Sequence, residues 1–294
     1  MNINFEYYKI FYYVAKYGNL TKAHVLGNSQ PNITRAMNCL ESEIRCTLFI
    51  RTNRGVRLTP EGERLYTRVS AAMAQLQLAE EELTDSTGLE HGSISIGASE
   101  TALSIYLLER LKHFHMTYPN IRLKIYNHST PQAVHSVKNG EIDFAIVTTP
   151  TTAKPPLKEI RLESFREVLV GGKTFTALSS QTLTLAELKN YPLICLGRET
   201  MTFAFYHQLF LSHGLELEPD TEAATTDQVL PLVKSDLGLA FIPESMAIPA
   251  IQNHEVIPIH LQETIPCRYV CMVSDVKRPL NSAARKLKDL ILHS

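Results

Sequence analysis

The chain has 294 residues, 44% of them hydrophobic and 20% charged, which are the proportions of a soluble globular protein with room for two or more domains. No basic segment followed by a long apolar run is present, so we expect a cytoplasmic protein without a signal peptide or membrane span. The net charge of −1 combines ten Lys/Arg against five Asp/Glu in residues 1–70 with 19 against 25 in the remainder. A polyanionic partner for the N-terminal part, or ordinary variation in surface charge, would each explain this asymmetry.

Two short helices are predicted before residue 28. Gly18 is expected to end the first, over residues 5–17, because glycine favours the position after a helix. Thr21 is expected to cap a second, shorter helix, which Gly27 ends.

The segment "NSQPNITRAMNCLESEI", residues 28–44, predicts a third helix from about Gln30 to about Arg45. Ser29 is a favourable N-cap, and Pro31 then lies in the first turn, where its missing N–H costs nothing. An apolar stripe marks the inner face: Ile33, Met37, Leu40 and Ile44. The second and third helices form a helix-turn-helix pattern, whose latter helix presents its N-terminal residues to base edges in the major groove.

The outward side chains of this helix suit base recognition. They share hydrogen-bonding capacity, and they are Gln30, Asn32, Thr34, Arg35 and Asn38. Gln and Asn make paired bonds to adenine, and Arg makes them to guanine. Glu41 and Glu43 follow where the helix would leave the groove. Taken alone, the pattern is also that of a solvated face on a small helical domain.

A hairpin with three arginines is predicted in "LFIRTNRGVRLTPEGERL". Arg51, Arg54 and Arg57 surround its turn, where cations meet phosphates or enter the minor groove. Thr59 and Pro60 then provide the cap and first position of another helix. The sequence therefore predicts a winged helix-turn-helix module.

The frame "SQP..TR....LE.E....LF.R..R...LT..G" resembles the N-terminal domain of LysR-type transcriptional regulators, over roughly residues 5–66. The resemblance implies contacts with bases or DNA backbone, and the matching residues are Gln30, Pro31, Thr34 and Arg35 in the helix and Arg51 and Arg54 in the wing. His24 stands where the family usually has a small residue, and we assign it no function. The later sequence is similar in order and size to the family's effector domain.

Residues 60–89 predict one long helix with a heptad seam: Leu65, Val69, Ala72, Leu76, Ala79 and Leu83. So narrow a stripe needs a partner, either the rest of the chain or a second copy. The resemblance implies a linker helix that dimerises the DNA-binding domains, often within tetramers. Two-fold pairing predicts a palindromic DNA site.

From Gly92 onward, predicted strands and helices alternate, as in a parallel-type α/β sheet. The first series runs from "GSISIGAS" to "EIDFAIV", and the second begins at "FREVLVGGK". The last strand and helix, "RYVCMVSDV" and "SAARKLKDLILH", return to the first series. The resemblance implies a two-lobed body like a periplasmic binding protein, with a cleft between the lobes and crossover strands near residues 161–166 and 262–268.

The expected fold class is thus α/β with an all-α winged helix-turn-helix at the N-terminus. The domains are predicted at 1–59 for DNA binding, 60–89 for the linker and dimerisation helix, and 90–294 for effector binding. Lobe I comprises about 90–162 and 266–294, and lobe II comprises about 163–265.

Small polar residues follow the predicted strands, where open α/β sheets bind ligands. The candidates for effector binding are Ser99, Glu100, Thr101, Ser129, Thr148, Thr149, Thr202 and Thr226. Hydroxyls and helix N-termini together suit an anion, typically a carboxylate, although each residue alone also fits a plain helix cap. Glu100 is at odds with a simple carboxylate ligand, and it either caps its own helix or meets a cationic group.

Catalytic patterns are lacking: the sequence has no CxxC, P-loop or GxSxG motif. His113 and His115 are two apart on a predicted helix, so they do not form a metal-binding pair. We expect no catalytic residue, no metal and no cofactor beyond a small-molecule co-inducer of unknown identity. Three cysteines are expected to be buried, unreactive thiols: Cys195, Cys267 and Cys271.

These features predict a LysR-type regulator that is not an enzyme. Its expected partners are a promoter palindrome in double-stranded DNA, a small-molecule effector, further copies of the chain as homodimer or homotetramer, and RNA polymerase. Two alternatives are a small-molecule-binding protein whose N-terminal domain mainly assembles it, and an enzyme with a solute-binding-like body. The basic first 70 residues and the wing arginines favour the regulator over both.

Overall fold

The computed structural model describes residues 4–18, 30–52, 55–84 and 92–293, without the side chains of residues 51–52 and 77–84. The chain forms two compact units, one of residues 1–86 with 139–141 and one of the remaining residues.

The N-terminal unit is helical with one hairpin. Its elements are α1 (Phe5–Tyr17), α2 (Gln30–Ile44), β1 (Phe49–Thr52), β2 (Gly55–Leu58) and α3 (Pro60–Thr84). Gly18 ends α1 as predicted, with a φ of 60° and its N–H donating to the Val14 carbonyl at 3.0 Å. Residues 19–29 lie outside the described residues. They include the predicted second helix with Thr21, His24 and Gly27, and the predicted cap Ser29.

The predicted apolar stripe of α2 forms the core of this unit. Ile33, Met37 and Leu40 are each at most 2% exposed and belong to one cluster with Phe11 and Val14 of α1. Burying a side chain of this size contributes roughly 1.5–3 kcal/mol to stability. That packing fixes which face of α2 points to solvent.

The predicted cap of α3 is confirmed. The Thr59 hydroxyl accepts from the Gly62 N–H at 3.0 Å and donates to the Thr47 carbonyl at 2.8 Å, so it joins the helix start to the hairpin. Pro60 is the first residue of α3.

The second unit contains a five-stranded sheet, a four-stranded sheet and a short strand pair, flanked by helices. The strands of the five-stranded sheet are β3 (Gly92–Ala98), β4 (Ile121–Asn127), β5 (Phe144–Thr148), β6 (Leu157–Phe165) and β13 (Arg268–Asp275). Their order in the sheet is β4-β3-β5-β13-β6. The helices of this lobe are α4 (Glu100–Ala102), α5 (Leu108–Thr117), α6 (Thr130–Asn139) and α10 (Ser282–His293). A π-helical turn, Leu103–Leu107, joins α4 to α5, so the helical segment after β3 begins at Glu100.

The strands of the other lobe are β7 (Glu167–Gly171), β8 (Thr182–Leu183), β9 (Ile194–Leu196), β10 (Thr221–Ala223), β11 (Ala240–Pro243) and β12 (Ile257–Leu261). The four-stranded sheet has the order β11-β7-β12-β8, and β9 and β10 form a short parallel pair. The helices are α7 (Met201–Ser212), α8 (Thr226–Lys234) and α9 (Glu244–Gln252), with 3₁₀ segments at Lys173–Ser180 and Leu185–Asn190.

The expectation of a parallel sheet is correct only in part. β3 pairs in parallel with β4 and β5, but β13 runs antiparallel to both β5 and β6. The reason is connectivity: β13 arrives from the other sheet rather than through a crossover helix on its own sheet. The chain passes between the sheets from β6 to β7 and returns from β12 to β13.

Candidate DNA-binding surface and effector cleft

The N-terminal half of α2 presents the predicted recognition residues. Gln30, Pro31, Asn32, Arg35 and Asn38 are exposed, and Thr34 is half-buried. Because the opposite face of α2 is packed into the core, these side chains are held on the solvent-facing side of the helix. The only charge among them is the Arg35 guanidinium.

Glu41 has a structural contact that sequence reasoning did not foresee. Its Oε1 accepts from the backbone N–H groups of Leu48 and Phe49, at 2.6 and 3.1 Å. The carboxylate therefore ties the end of α2 to the start of the hairpin. Glu43, by contrast, is exposed.

The predicted hairpin is present, with β1 and β2 antiparallel and Ile50 opposite Arg57. Arg57 is exposed. Arg51 lies in β1 with its side chain outside the description, and Arg54 lies outside the described residues. The role of these arginines at DNA stays a prediction.

The predicted seam of α3 divides into two parts. Val69 is 8% exposed and Leu65 packs beside it in the unit's own core. Ala72 is exposed and Leu76 is 45% exposed, and the side chain of Leu83 lies outside the description. A partner contact can therefore be argued only from Ala72 and Leu76 among the described side chains.

In the second unit, the most buried large polar side chain is Arg268, which is 1% exposed at the start of β13. Its Nη1 donates to Glu167 Oε1 at 2.5 Å, and its Nη2 donates to the hydroxyls of Thr148 and Thr202 at 2.9 and 3.0 Å. Its Nε donates to the Thr149 carbonyl at 2.8 Å. The guanidinium thus has a counterion in Glu167 and further hydrogen-bond acceptors in the threonines, as a buried cation requires.

Glu167, at the start of β7, shares this network. The Tyr206 hydroxyl donates to its Oε2, so both carboxylate oxygens have partners. Burial raises the pKa of Tyr206 well above its ordinary value, and the neighbouring Glu167 charge raises that pKa further. Two aromatic rings, Phe165 and Phe205, lie 5.4 and 5.1 Å from the Arg268 guanidinium carbon.

Little open space remains beside this network. The cavity volume is about 20 Å³, room for about one water molecule. Its polar lining is Thr101, Glu167, Thr202, Tyr206, Thr226 and Arg268. The two lobes also meet at the hydroxyls of Thr101 and Thr226, 3.2 Å apart. In this closed arrangement the protein's own side chains fill the cleft.

Comparison with known proteins identifies the family. The model described as "LysR substrate binding domain" matches residues 87–294, and "Bacterial regulatory helix-turn-helix protein, lysR family" matches residues 5–63. The chain belongs to the LysR family of transcriptional regulators. Among its relatives is the HTH-type transcriptional regulator YofA of Bacillus velezensis, 27% identical over 86% of this chain and 84% of that protein.

Two solved structures share the fold of this LysR regulator. A full-length OxyR variant of Pseudomonas aeruginosa has a TM-score of 0.76 at 17% identity, covering 99% of this chain and 94% of that one. Full-length CbnR complexed with its target DNA has a TM-score of 0.56 at 19% identity, covering 98% of each chain. The predicted fold class, a helical winged N-terminal module and an α/β effector domain, is confirmed.

The predicted effector residues of the LysR chain separate into two groups. Thr101, Thr148, Thr149, Thr202 and Thr226 converge at the cleft. The other three make their bonds within their own lobe, where Glu100 also accepts from the Asn127 side-chain amide at 3.4 Å. Ser99 accepts from the Ala102 N–H at 3.4 Å, Ser129 donates to Gln132 Oε1, and Glu100 accepts from the Ser104 hydroxyl at 3.1 Å.

Sequence reasoning missed three central residues of this LysR cleft: Glu167, Tyr206 and Arg268. A signal for two of them existed. In "FREVLV" and "PCRYVCMV" a charged residue begins an otherwise apolar strand, and a charge that is buried at such a position needs an ion partner. Tyr206 had no comparable signal, because it lies within the apolar face of α7.

The cysteines of this LysR chain are only partly as expected. Cys195 and Cys271 are buried, and burial raises the pKa of each thiol to about 12. Cys267 is exposed, so its predicted burial is wrong: it precedes β13 in the connection between the lobes.

Within the described part of the chain, no group of three or more His, Cys, Asp or Glu could hold a metal ion. No helix among the described residues has the length and apolarity of a membrane span.

Proposed function

We propose that this LysR regulator binds an interrupted palindrome in promoter DNA, with α2 in the major groove and the β1–β2 hairpin beside it. The observation that carries this proposal is the exposed row of hydrogen-bonding side chains early in α2, opposite a buried apolar face. Gln30 and Asn32 suit adenine, and Arg35 suits guanine. The hairpin arginines suit phosphates, which set the register of the protein on the duplex.

The palindrome follows from a two-fold arrangement. A second copy of α3 at Ala72 and Leu76 would make a homodimer, and pairs of dimers would make a homotetramer. A protein that binds promoter DNA acts in the cytoplasm, where RNA polymerase at the same promoter is a further partner.

The effector is proposed to bind between the two lobes. Support comes from Thr101 and Thr148 on one lobe, Thr202 and Thr226 on the other, and the buried Arg268 between them. Effector control requires different affinity for two arrangements of the protein, because tight binding alone shifts no equilibrium. We propose that the closed arrangement and one with the lobes apart differ in their affinity for the effector.

Selection of fragments of the source genome by the purified protein tests the function. We expect enrichment of one promoter-region palindrome, and affinity that falls with salt by a log–log slope of about 0.9 per phosphate neutralised. Absence of enrichment, with and without cell extract, would favour a small-molecule-binding protein whose N-terminal domain serves assembly.

A further inference from the structure

The Arg268–Glu167 ion pair joins the two lobes of the effector unit. Arg268 lies in the five-stranded sheet, opposite Phe165. Glu167 lies in the four-stranded sheet, opposite Pro243. The two side chains are 1% and 2% exposed, and their closest atoms are 2.5 Å apart. Each lobe therefore contributes one buried charge to the same point of the cleft.

An effector that enters this cleft must separate the pair, because the remaining cavity holds only about one water molecule. Separation leaves a buried cation on one lobe and a buried anion on the other. A buried charge deprived of its partner is strongly unfavourable, so both charges need replacements. A carboxylate alone would satisfy Arg268 and would leave Glu167 without a cation.

We infer that the effector is a small zwitterion, an α-amino acid, whose carboxylate binds Arg268 and whose ammonium binds Glu167. This inference rests on the proposed effector function of the cleft. The guanidinium fork suits a carboxylate, and an ammonium group donates readily to a carboxylate. The Thr148 and Thr202 hydroxyls, already within 3.0 Å of Arg268 Nη2, are positioned to contact the bound carboxylate.

The walls of the cavity indicate the side chain of this amino acid. The apolar lining comprises Ile194, Leu196, Val229, Phe241 and Pro243. A second charge on the effector side chain would face these residues without a counterion. The preferred amino acid therefore has an uncharged and apolar side chain.

The first test needs only the wild-type full-length protein. Thermal unfolding is measured with each proteinogenic L-amino acid, and the one that raises the Tm most is taken to calorimetry with its deaminated acid and its decarboxylated amine. We expect an apolar amino acid to bind, and each analogue to bind about 100-fold more weakly or worse, since each leaves one buried charge unpaired. If the deaminated acid binds as tightly as the amino acid, the effector is not recognised as a zwitterion, although the cleft would still be an effector site. If no amino acid raises the Tm, the assignment of an amino-acid effector is also wrong.

The second test exchanges the specificity. In Glu167→Gln the amide keeps the size of the side chain and its contact with Tyr206 but removes the charge. The amino acid should then lose about 100-fold in affinity, and the deaminated acid should become the better ligand, because Arg268 no longer has an internal counterion. The control is Glu163→Gln, whose side chain is 56% exposed on β6, and it should leave the preference unchanged. If Glu167→Gln keeps the preference for the amino acid, the assignment of the ammonium to Glu167 is wrong. The selection of genome fragments tests the DNA-binding function, and its result does not depend on either of these ligand tests.

Discussion

Arg268 and Glu167 are each the first residue of the strand by which the chain enters a lobe, β13 and β7 respectively. Their side chains meet 2.5 Å apart with almost no exposure. The pair therefore connects the two points where the chain crosses between the sheets. On this geometry, the lobes cannot separate at this point without breaking the pair.

Breaking one side of this pair should be worse than removing both charges. Arg268→Met should destabilise the protein by about 3–5 kcal/mol, because Glu167 stays buried without its cation. Adding Glu167→Leu to that variant should recover a large part of the loss. Urea denaturation followed by circular dichroism measures Arg268→Met, Glu167→Leu and the double variant. The control is Arg198→Met, whose side chain is 68% exposed in its pair with Glu222 and whose loss should cost at most about 1 kcal/mol. A double variant as unstable as the two single effects combined would refute the coupling.

Glu41 should stabilise the DNA-binding unit through its bonds to the hairpin. Glu41→Ala leaves the Leu48 and Phe49 N–H groups without their acceptor, and we expect a loss of about 1–3 kcal/mol. Glu43→Ala, on an exposed neighbour, should change stability by less than about 0.5 kcal/mol. Equal Tm values for the two variants would show that the Glu41 contact contributes nothing.

Leu76 should contribute to self-association through α3. Its side chain is 45% exposed, so Leu76→Glu should leave the unit folded but place a charge in a helix–helix seam. Light scattering should then report monomers, while Gln75→Glu on the same helix keeps the wild-type mass. An unchanged mass for Leu76→Glu would mean that the seam does not join copies of the chain.

The cysteines should differ in reactivity with iodoacetamide. A thiol with a pKa of about 12 is thiolate in only about one molecule in ten thousand at pH 8, so Cys195 and Cys271 should resist labelling. Exposed Cys267 should be modified in the native protein, and all three should be modified in denaturant. Mass spectrometry locates the label. Rapid native labelling of Cys195 would contradict its burial.

The features predictable from the sequence are local. Gly18 could be assigned as the end of α1 and Thr59 as the cap of α3, because helix ends depend on a few neighbouring residues. The buried stripe of α2 could be assigned because its spacing has the helical period. The cleft depends on long-range geometry. Arg268 and Glu167 are 101 residues apart, and no spacing in the sequence relates them. The antiparallel direction of β13 likewise depends on where the chain returns from the other lobe.

In the proposed function, α2 of a two-fold assembly reads DNA. Hydroxyl-radical footprinting of the selected promoter fragment tests it most directly, with wild-type protein, Arg35→Ala, and Arg122→Ala on exposed β4 as control. We predict two protected half-sites related by dyad symmetry and about 34–36 Å, or a multiple of that, apart. Arg35→Ala should weaken binding by roughly 1–3 kcal/mol, and Arg122→Ala should not. Protection without symmetry would contradict the two-fold assembly, and equal affinity of Arg35→Ala and wild type would contradict base reading by Arg35.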